Sequence, residues 1–181
     1  VVEFLKECLP ALDSDIAKRL RKQLEQRGVQ FALQSGVTKI EQLEGNVLRV
    51  HYQKKGKDAF ADAELVLMAT GRAANVGSLG LENTEIANTK AGITVDENMQ
   101  TNVPGVYAIG DVNGKQMLAH AATFQGFRAV NHIVGHADRI LFNIVPAAIF
   151  THPEVGSVGL SEDQCKEQGI VYKCRKGYYR S

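Results

Sequence analysis

A short apolar run that ends in Gly110 and Asp111 places the strongest constraint on how this chain can fold. The run spans residues 106–109 and follows turn-forming residues at 101–105. Because it lacks polar alternation, it predicts a parallel strand that is covered on both faces. Gly110 lets the backbone pass close to a large ligand, and Asp111 presents an acceptor-only carboxylate at the carboxyl edge of the sheet. Ligands of open α/β sheets bind at that edge, and an acid there suits a polyhydroxylated ligand.

The periodicities of residues 1–72 predict a nucleotide-binding half-domain whose crossover is a β-meander. Asp13 or Ser14 can cap a helix that carries Ile16, Leu20 and Leu24 on one face and that Gly28 ends. Apolar alternation predicts the strands that follow, with turns at residues 44–46 and 54–57. The predicted strands span residues 1–4, 29–33, 37–43, 48–52 and 64–69, the last as a second buried apolar run.

The rest of the sequence predicts two further helices and, after Pro146, a change to short strands. Residues 73–100 form a connection that is rich in Gly and Asn. Residues 120–134 carry apolar side chains at helical spacing, and Gly135 ends that helix. Short strands are expected after Pro146, followed by a short helix with a capping box over residues 161–164 that Gly169 terminates. The apolar positions of the longer helix are Ala121, Phe124, Phe127, Val130 and Val134.

Composition excludes several classes of function. The 181 residues include 21 basic and 20 acidic side chains and no long basic run, so no nucleic-acid or membrane partner is expected. No apolar stretch has membrane-spanning length, and no signal-peptide pattern opens the sequence. Three cysteines are too few for a secreted disulfide scaffold, which favours a reducing, cytoplasmic setting. No cluster has metal-ligand spacing, so no metal site is expected.

Three motifs in order give the chain a family resemblance. Residues 107–111 with their lead-in resemble the second flavin-binding motif of the pyridine nucleotide-disulfide oxidoreductases. Residues 117–120, Met-Leu-Ala-His, are similar to the dihydrolipoamide dehydrogenases of that family rather than to its glutathione reductases. Residues 146–155 resemble the beginning of the dimer-interface domain of the same enzymes.

The resemblance implies an α/β fold of partial Rossmann-like FAD- and NAD(P)-binding domains, followed by the start of an α+β dimer-interface domain. Residues 1–72 would be the later part of the NAD-binding domain. Residues 73–143 would be the second segment of the FAD-binding domain, and residues 144–181 would begin the interface domain. We therefore expect the chain to be an internal fragment of a longer enzyme.

The resemblance also implies three positions that bind NAD. Glu3 would accept hydrogen bonds from the adenosine ribose hydroxyls and favour NAD over its phosphorylated form by charge repulsion; alternatively, it is a solvated strand-end glutamate. The backbone of Val37 would face the adenine, or Val37 is an ordinary strand residue. Gly71 would let the chain approach the cofactor closely. Residues 73–75 depart from the Pro-Asn that usually follows in the family.

FAD is the second cofactor that the resemblance implies. Asp111 would accept a hydrogen bond from the ribityl chain, a role compatible with capping a helix. Met117, Leu118, Ala119 and His120 would wrap the flavin through backbone N–H groups at a helix start, and the alternative is a merely hydrophobic helix start.

The family base histidine lies on a later segment, so His120 is not expected to be a base. Acids that the family usually carries are replaced by Thr123 and Gln125.

The implied parent is an FAD- and NAD-dependent homodimer that oxidises dihydrolipoamide on the lipoyl domains of 2-oxo acid dehydrogenase or glycine cleavage complexes. No catalytic residue is expected in this chain, because no cysteine pair has the four-residue spacing of the family's redox disulfide. The chain alone is expected to be inert. Two alternatives stay open: a sibling reductase of glutathione, mercuric or transhydrogenase type, and a non-catalytic cofactor-binding or dimerisation protein.

Overall fold

The computed structural model describes residues 1–177 and divides the chain into two compact units. The first unit comprises Val1–Met68 and the chain from Ala148 onward, and the second comprises Ala69–Ala147. In chain order the helices and strands are α1 (Ser14–Gln26), β1 (Ser35–Gln42), β2 (Leu48–Lys54), β3 (Lys57–Ala63), β4 (Asn88–Thr89), β5 (Gly92–Ile93), α2 (Ala119–Ile133), β6 (Ala147–Ile149), β7 (Val155–Ser157) and α3 (Glu162–Glu167). Mixed helices and strands confirm the predicted α/β class.

The first unit contains the predicted meander. Strands β1, β2 and β3 form an antiparallel sheet in that order, with Val50 opposite Ile40 on one side and Ala61 on the other. Lys55 and Gly56 make the β2–β3 turn with φ of 52° and 76°, the left-handed conformation that tight hairpins require. The pairing of β1 with β2 and the Lys55-Gly56 turn agree with the sequence prediction, whereas β3 was not predicted as a strand.

Helix α1 also begins and ends as its sequence predicts. Asp13 stands at the N-cap position and Gly28, with φ of 93°, follows the last turn. The buried face consists of Ala17 and Leu20, whereas Ile16 is exposed. The helix therefore packs through a narrower apolar stripe than the spacing of its large residues suggested.

Two segments that precede β1 pair in parallel over a very short distance. Val2 forms an isolated parallel bridge with Ala32, and the Glu3 N–H donates to the Ala32 carbonyl over 2.9 Å. The Ser35 N–H in turn donates to the Glu3 carbonyl over 2.8 Å. The predicted strands over 1–4 and 29–33 are thus reduced to one bridge, because no further described segment extends the pairing.

Helix α3 carries the capping box that residues 161–164 predict. The Ser161 hydroxyl accepts from the Gln164 N–H over 3.2 Å, and the Gln164 side chain accepts from the Ser161 N–H over 2.9 Å. Gly169, with φ of 66°, follows the helix end. These local signals therefore fix both ends of α3.

Two predicted buried parallel strands are wrong. Over residues 64–69 no strand forms within the described chain, and Leu65 and Leu67 are 86% and 90% exposed. Tyr107 makes only an isolated antiparallel bridge with Gln100, and Ile109 is partly exposed. A buried parallel strand needs a neighbouring strand and helices on both faces, and no segment among residues 1–177 supplies these to either run.

The core of the second unit lies beneath small residues of α2. Ala121, Gln125 and Ala129 are buried at helical spacing against a core that includes Ile93, Met99 and Ala108. The prediction that the large apolar side chains of α2 face the core is wrong, because these side chains are exposed. These exposed residues are Phe124, Phe127, Val130 and Val134. None of the helices described for residues 1–177 is long and apolar enough to cross a membrane.

Candidate functional site

Asp111 lies in a 3-10 turn that begins immediately after the buried Ala108 and the extended residue Ile109. The turn spans Gly110–Asn113, and Gly110 has φ of 78°, which explains the glycine at this position. The Asp111 side chain is 42% exposed, so its carboxylate remains accessible to a ligand. The structure thus places the predicted acid on a tight turn rather than at the end of a regular strand.

The turn packs against the first half of α2. A Cβ built on Gly110 would lie 3.3 Å from the Cβ of Ala122, so only a small residue fits between the turn and the helix. The Gly110 N–H donates to Oε1 of Gln125 over 2.7 Å. The turn that carries Asp111 therefore packs on the same helix that the segment 117–120 begins, through contacts with Ala122 and Gln125.

The N-terminus of α2 keeps its backbone donors available. Leu118 occupies the N-cap position, and in the described part of the chain no side chain caps this end. Ala119 and His120 are exposed, whereas Met117 and Leu118 are half-buried. Free N–H groups at a helix start donate hydrogen bonds to ligand oxygens and carry a partial positive charge. These donors, together with an exposed carboxylate on a turn that packs against the same helix, fit a ligand that offers both hydroxyl groups and carbonyl or imide oxygens, as FAD does.

His120 points its ring at the backbone rather than at an ionisable partner. Its Nε2 lies 2.7 Å from the Pro146 carbonyl oxygen, which can only accept, so Nε2 is the donor. This contact joins the first turn of α2 to the segment that leads into β6. It is compatible with the prediction that His120 acts through its backbone.

Arg72 is a site residue that the sequence reasoning missed. Its Nη2 donates to Oδ2 of Asp111 over 2.6 Å, and the Arg72 side chain is 71% exposed. Gly71, the neighbouring predicted site residue, has φ of 102°, and none of the described atoms lies within 4 Å of the position of its absent Cβ. The ion pair therefore brings Gly71 to the Asp111 turn. An arginine directly after the glycine that was predicted to end a strand was the available signal.

The two remaining predicted residues, Glu3 and Val37, lie close to one another in the first unit. The Glu3 backbone carbonyl accepts from Ser35, two residues before Val37, and its carboxylate accepts from the Leu5 N–H over 2.8 Å. Val37 is half-exposed on β1, at a register irregularity between Val37 and Lys39. The hydrogen bond between Ser35 and Glu3 thus holds Glu3 near the start of the strand that carries Val37.

The cysteines of the described chain are unpaired, and its possible metal ligands are not clustered. All three cysteines, Cys8, Cys165 and Cys174, are free. Burial raises the pKa of the Cys8 thiol, and a hydrogen bond to the Glu7 carboxylate raises it further, so Cys8 favours the unreactive thiol form. Over residues 1–177 no group of three His, Cys, Asp or Glu side chains could hold a metal ion.

Comparison with known families agrees with this geometry. Residues 1–126 match the family described as pyridine nucleotide-disulphide oxidoreductase, and residues 145–181 match the dimerisation domain of the same family. The chain belongs to the pyridine nucleotide-disulphide oxidoreductase family. The match confirms the family resemblance of the three sequence motifs, and this family uses FAD and a pyridine nucleotide as cofactors.

Several curated relatives are similar along nearly the whole chain. Leghemoglobin reductase of Glycine max is 38% identical over 97% of the chain, and dihydrolipoyl dehydrogenase of Chlamydia muridarum is 38% identical over all of it. Dihydrolipoyl dehydrogenase 1, mitochondrial, of Arabidopsis thaliana is 37% identical over 97%. These matches cover 34%, 38% and 35% of the respective relatives, so the chain spans about a third of their length.

Solved structures share the backbone arrangement. LpdA from Mycobacterium tuberculosis aligns with a TM-score of 0.81 and 28% identity, covering 94% of this chain and 37% of that one. The HOCl-induced flavoprotein disulfide reductase RclA from Escherichia coli aligns with a TM-score of 0.79 and 28% identity, covering 93% and 38%. Both likenesses agree with the family assignment.

Proposed function

We propose that this chain is the part of a dihydrolipoyl dehydrogenase that binds the ribityl chain and flavin of FAD and the adenosine of NAD. The observation that carries the proposal is the accessible Asp111 carboxylate on a turn that packs against α2, a helix whose start has no side-chain cap among the described residues. The segment at that helix start is Met117 to His120, and dihydrolipoyl dehydrogenases are among the relatives at 36–38% identity.

On the FAD side, each residue has a separate physical role. Asp111 accepts a hydrogen bond from a ribityl hydroxyl, which a carboxylate does more strongly than a neutral oxygen. Arg72 orients that carboxylate and balances its charge. Within residues 117–120, the N–H groups of Ala119 and His120 stabilise electron density at the pyrimidine end of the flavin ring, since they lie at the positive end of α2.

On the NAD side, Glu3 accepts hydrogen bonds from the adenosine ribose and disfavours a phosphorylated ribose. Val37 offers its backbone to the adenine, and Gly71 allows close approach of the cofactor. The parallel bridge between Val2 and Ala32 supports this assignment, because it holds Glu3 next to the first residue of β1.

The chemistry of the whole enzyme needs groups beyond this chain. Bound FAD supplies two-electron transfer between a dithiol and NAD. This chain contributes binding and orientation but no redox disulfide, since its three cysteines are free. Residues 73–143 would belong to the FAD-binding domain, residues 1–72 to the NAD-binding domain, and residues 144–181 to the interface domain.

We place the protein in a homodimer that serves the lipoyl domains of a 2-oxo acid dehydrogenase or glycine cleavage complex. The dimerisation-domain match over residues 145–181 supports the homodimer. The names of the relatives support a lipoyl substrate. A reducing cytoplasmic compartment suits three unpaired thiols, two of which are half-buried.

A sibling disulfide reductase is the second candidate function. The structural likeness to the flavoprotein disulfide reductase RclA favours it. The Met-Leu-Ala-His segment at 117–120 favours the dehydrogenase instead. The two candidates predict different substrates, so a substrate panel separates them.

The test is an activity panel on the full-length protein that carries these residues. We expect a flavin absorption spectrum and NAD reduction that depends on dihydrolipoamide, with no turnover of glutathione disulfide or mercuric ion. Turnover of one of those two substrates without dihydrolipoamide activity would establish a sibling reductase. A bound flavin without any turnover would establish a non-catalytic cofactor-binding protein.

A further inference from the structure

A buried amide on α2 holds the turn that carries Asp111. Gln125 is 1% exposed, and its Oε1 accepts from the Gly110 N–H over 2.7 Å and from Nδ2 of Asn113 over 2.8 Å. Asn113 is 6% exposed, and its Nδ2 also donates to the Ala108 carbonyl over 3.0 Å. One side chain on the helix thus satisfies a donor at each end of the turn.

These hydrogen bonds are costly to lose, because the donors are away from water. Gly110 is buried, so its N–H would remain unpaired without Oε1 of Gln125. Asn113 completes the network by accepting from the Lys115 N–H over 3.0 Å. The backbone N–H before Asp111 and the Asn113 side chain after it are therefore both bound to one residue of α2.

We propose that Gln125 is a positioning residue that sets the orientation of the Asp111 carboxylate relative to the first turn of α2, and thereby the affinity for FAD. The proposal rests on the FAD site proposed above. Gly110 is the residue before Asp111, so fixing its N–H fixes the peptide that leads into the acid. The same hydrogen bond, from the Gly110 N–H to Gln125, keeps the turn close to α2, where Gly110 lies against Ala122.

The uncharged amide of Gln125 accepts both hydrogen bonds without placing a second negative charge near Asp111. A glutamate at 125 could accept from the same two donors, since a carboxylate has four acceptor positions. It would add charge beside Asp111, whose cationic partner is Arg72. The hydrogen-bonding role and the charge of residue 125 can therefore be separated by substitution.

The experiment measures the FAD dissociation constant of the full-length protein and its variants by the fluorescence of released flavin. Gln125→Leu removes the acceptor and keeps the volume, and we expect its affinity for FAD to fall by about tenfold or more. Gln125→Glu keeps the acceptor, and we expect it to stay within about threefold of the wild type. The matched control is Gln26→Leu at an exposed position of α1, which should leave FAD binding unchanged.

Two outcomes would overturn the proposal. Equal affinity of the Gln125→Leu variant and the wild type would show that the network does not position Asp111. Equal losses in Gln125→Leu and Gln125→Glu would show that the accepted hydrogen bonds are not what matters. Failure of the wild-type protein to bind FAD would instead refute the proposed function. If Gln125→Leu does not fold, Asn113→Leu tests the other bond of the same acceptor with the same expected loss.

Discussion

Arg72 and Asp111 are joined by a 2.6 Å hydrogen bond between Nη2 and Oδ2, although 39 residues separate them in the sequence. Each residue follows an apolar run of the kind that ends at a ligand-binding edge in α/β proteins. The ion pair brings the predicted NAD-side glycine, Gly71, next to the predicted FAD-side acid. It also orients the Asp111 carboxylate.

Arg72→Ala tests the contribution of this pair. Both side chains are exposed to solvent, so the ion pair contributes little to the free energy of FAD binding. We therefore expect FAD affinity to fall only about two- to fivefold. High salt should reduce the difference between variant and wild type, since it screens exposed charges. Arg49→Ala, which breaks a comparable exposed pair with Asp62, is the control and should leave FAD binding unchanged. Tighter FAD binding in Arg72→Ala would contradict an orienting role and indicate competition for Asp111.

Gly114→Ala tests how closely the Asp111 turn is packed. Gly114 has φ of 66°, and a Cβ there would overlap the Ala91 carbonyl oxygen. We expect a loss of about 3 kcal/mol or more in the free energy of unfolding, measured by urea denaturation.

The control is Gly56→Ala in the β2–β3 turn, where φ is 76° but none of the described atoms lies within 4 Å of the added carbon. That variant suffers only the left-handed backbone penalty, about 1 kcal/mol. Equal losses in the two variants would refute the close packing of Gly114 on Ala91.

The pH dependence of stability should report the pair of Arg128 and Asp138. A hydrogen bond from Arg128, and then one from the Ile140 N–H, lowers the pKa of Asp138 to about 2. Because the folded-state pKa lies below the unfolded value of about 4, the stabilisation is present above pH 4 and is lost as pH falls toward 2.

Asp138→Asn removes this contribution. The variant should be less stable than the wild type above about pH 4, and the two stabilities should converge as the pH falls toward 2. Urea unfolding across this range measures the difference, with Asp58→Asn on the exposed strand β3 as the control. A stability gap that stays constant with pH would contradict the lowered pKa.

Asp13→Ala should weaken α3 rather than α1. Asp13 occupies the N-cap position of α1, yet its side chain makes no capping bond there and Oδ1 accepts from the Glu162 N–H over 2.6 Å. We expect a loss of about 1 kcal/mol, the usual cost of deleting a cap.

Amide hydrogen exchange locates the effect of that substitution. Faster exchange at residues 162–168 with unchanged exchange in α1 is the expected result. Asp13→Asn retains an acceptor oxygen and should restore most of the protection. Faster exchange confined to residues 14–18 would show that Asp13 caps its own helix after all.

Local signals account for the parts of the fold that the sequence predicted. The stop residue of α1, the Lys55-Gly56 turn and the Ser161–Gln164 capping box each act within a few residues, so they can be predicted without tertiary information. Gly110 was predicted to allow a close approach of the backbone, although the turn that it begins was not predicted.

Features that depend on distant partners could not be predicted. Leu65 and Leu67 were expected in a buried strand, but burial depends on neighbouring strands that no described residue provides. The large apolar residues of α2 are exposed for the same reason, and small Ala121 faces the core. Arg72 was missed because its partner is remote in sequence, whereas Gln125 was noticed only as a departure from the usual family acid.

The most direct test of the proposed FAD site is the FAD dissociation constant of the Asp111→Ala variant, in the full-length protein, beside the wild type and Asp58→Ala. Loss of a charged acceptor for a ribityl hydroxyl should weaken binding by about tenfold or more. Asp58→Ala should bind as the wild type does, because Asp58 lies on exposed β3 in the other unit. FAD affinity that is unchanged in Asp111→Ala would contradict the assignment of Asp111 and of the site built around it.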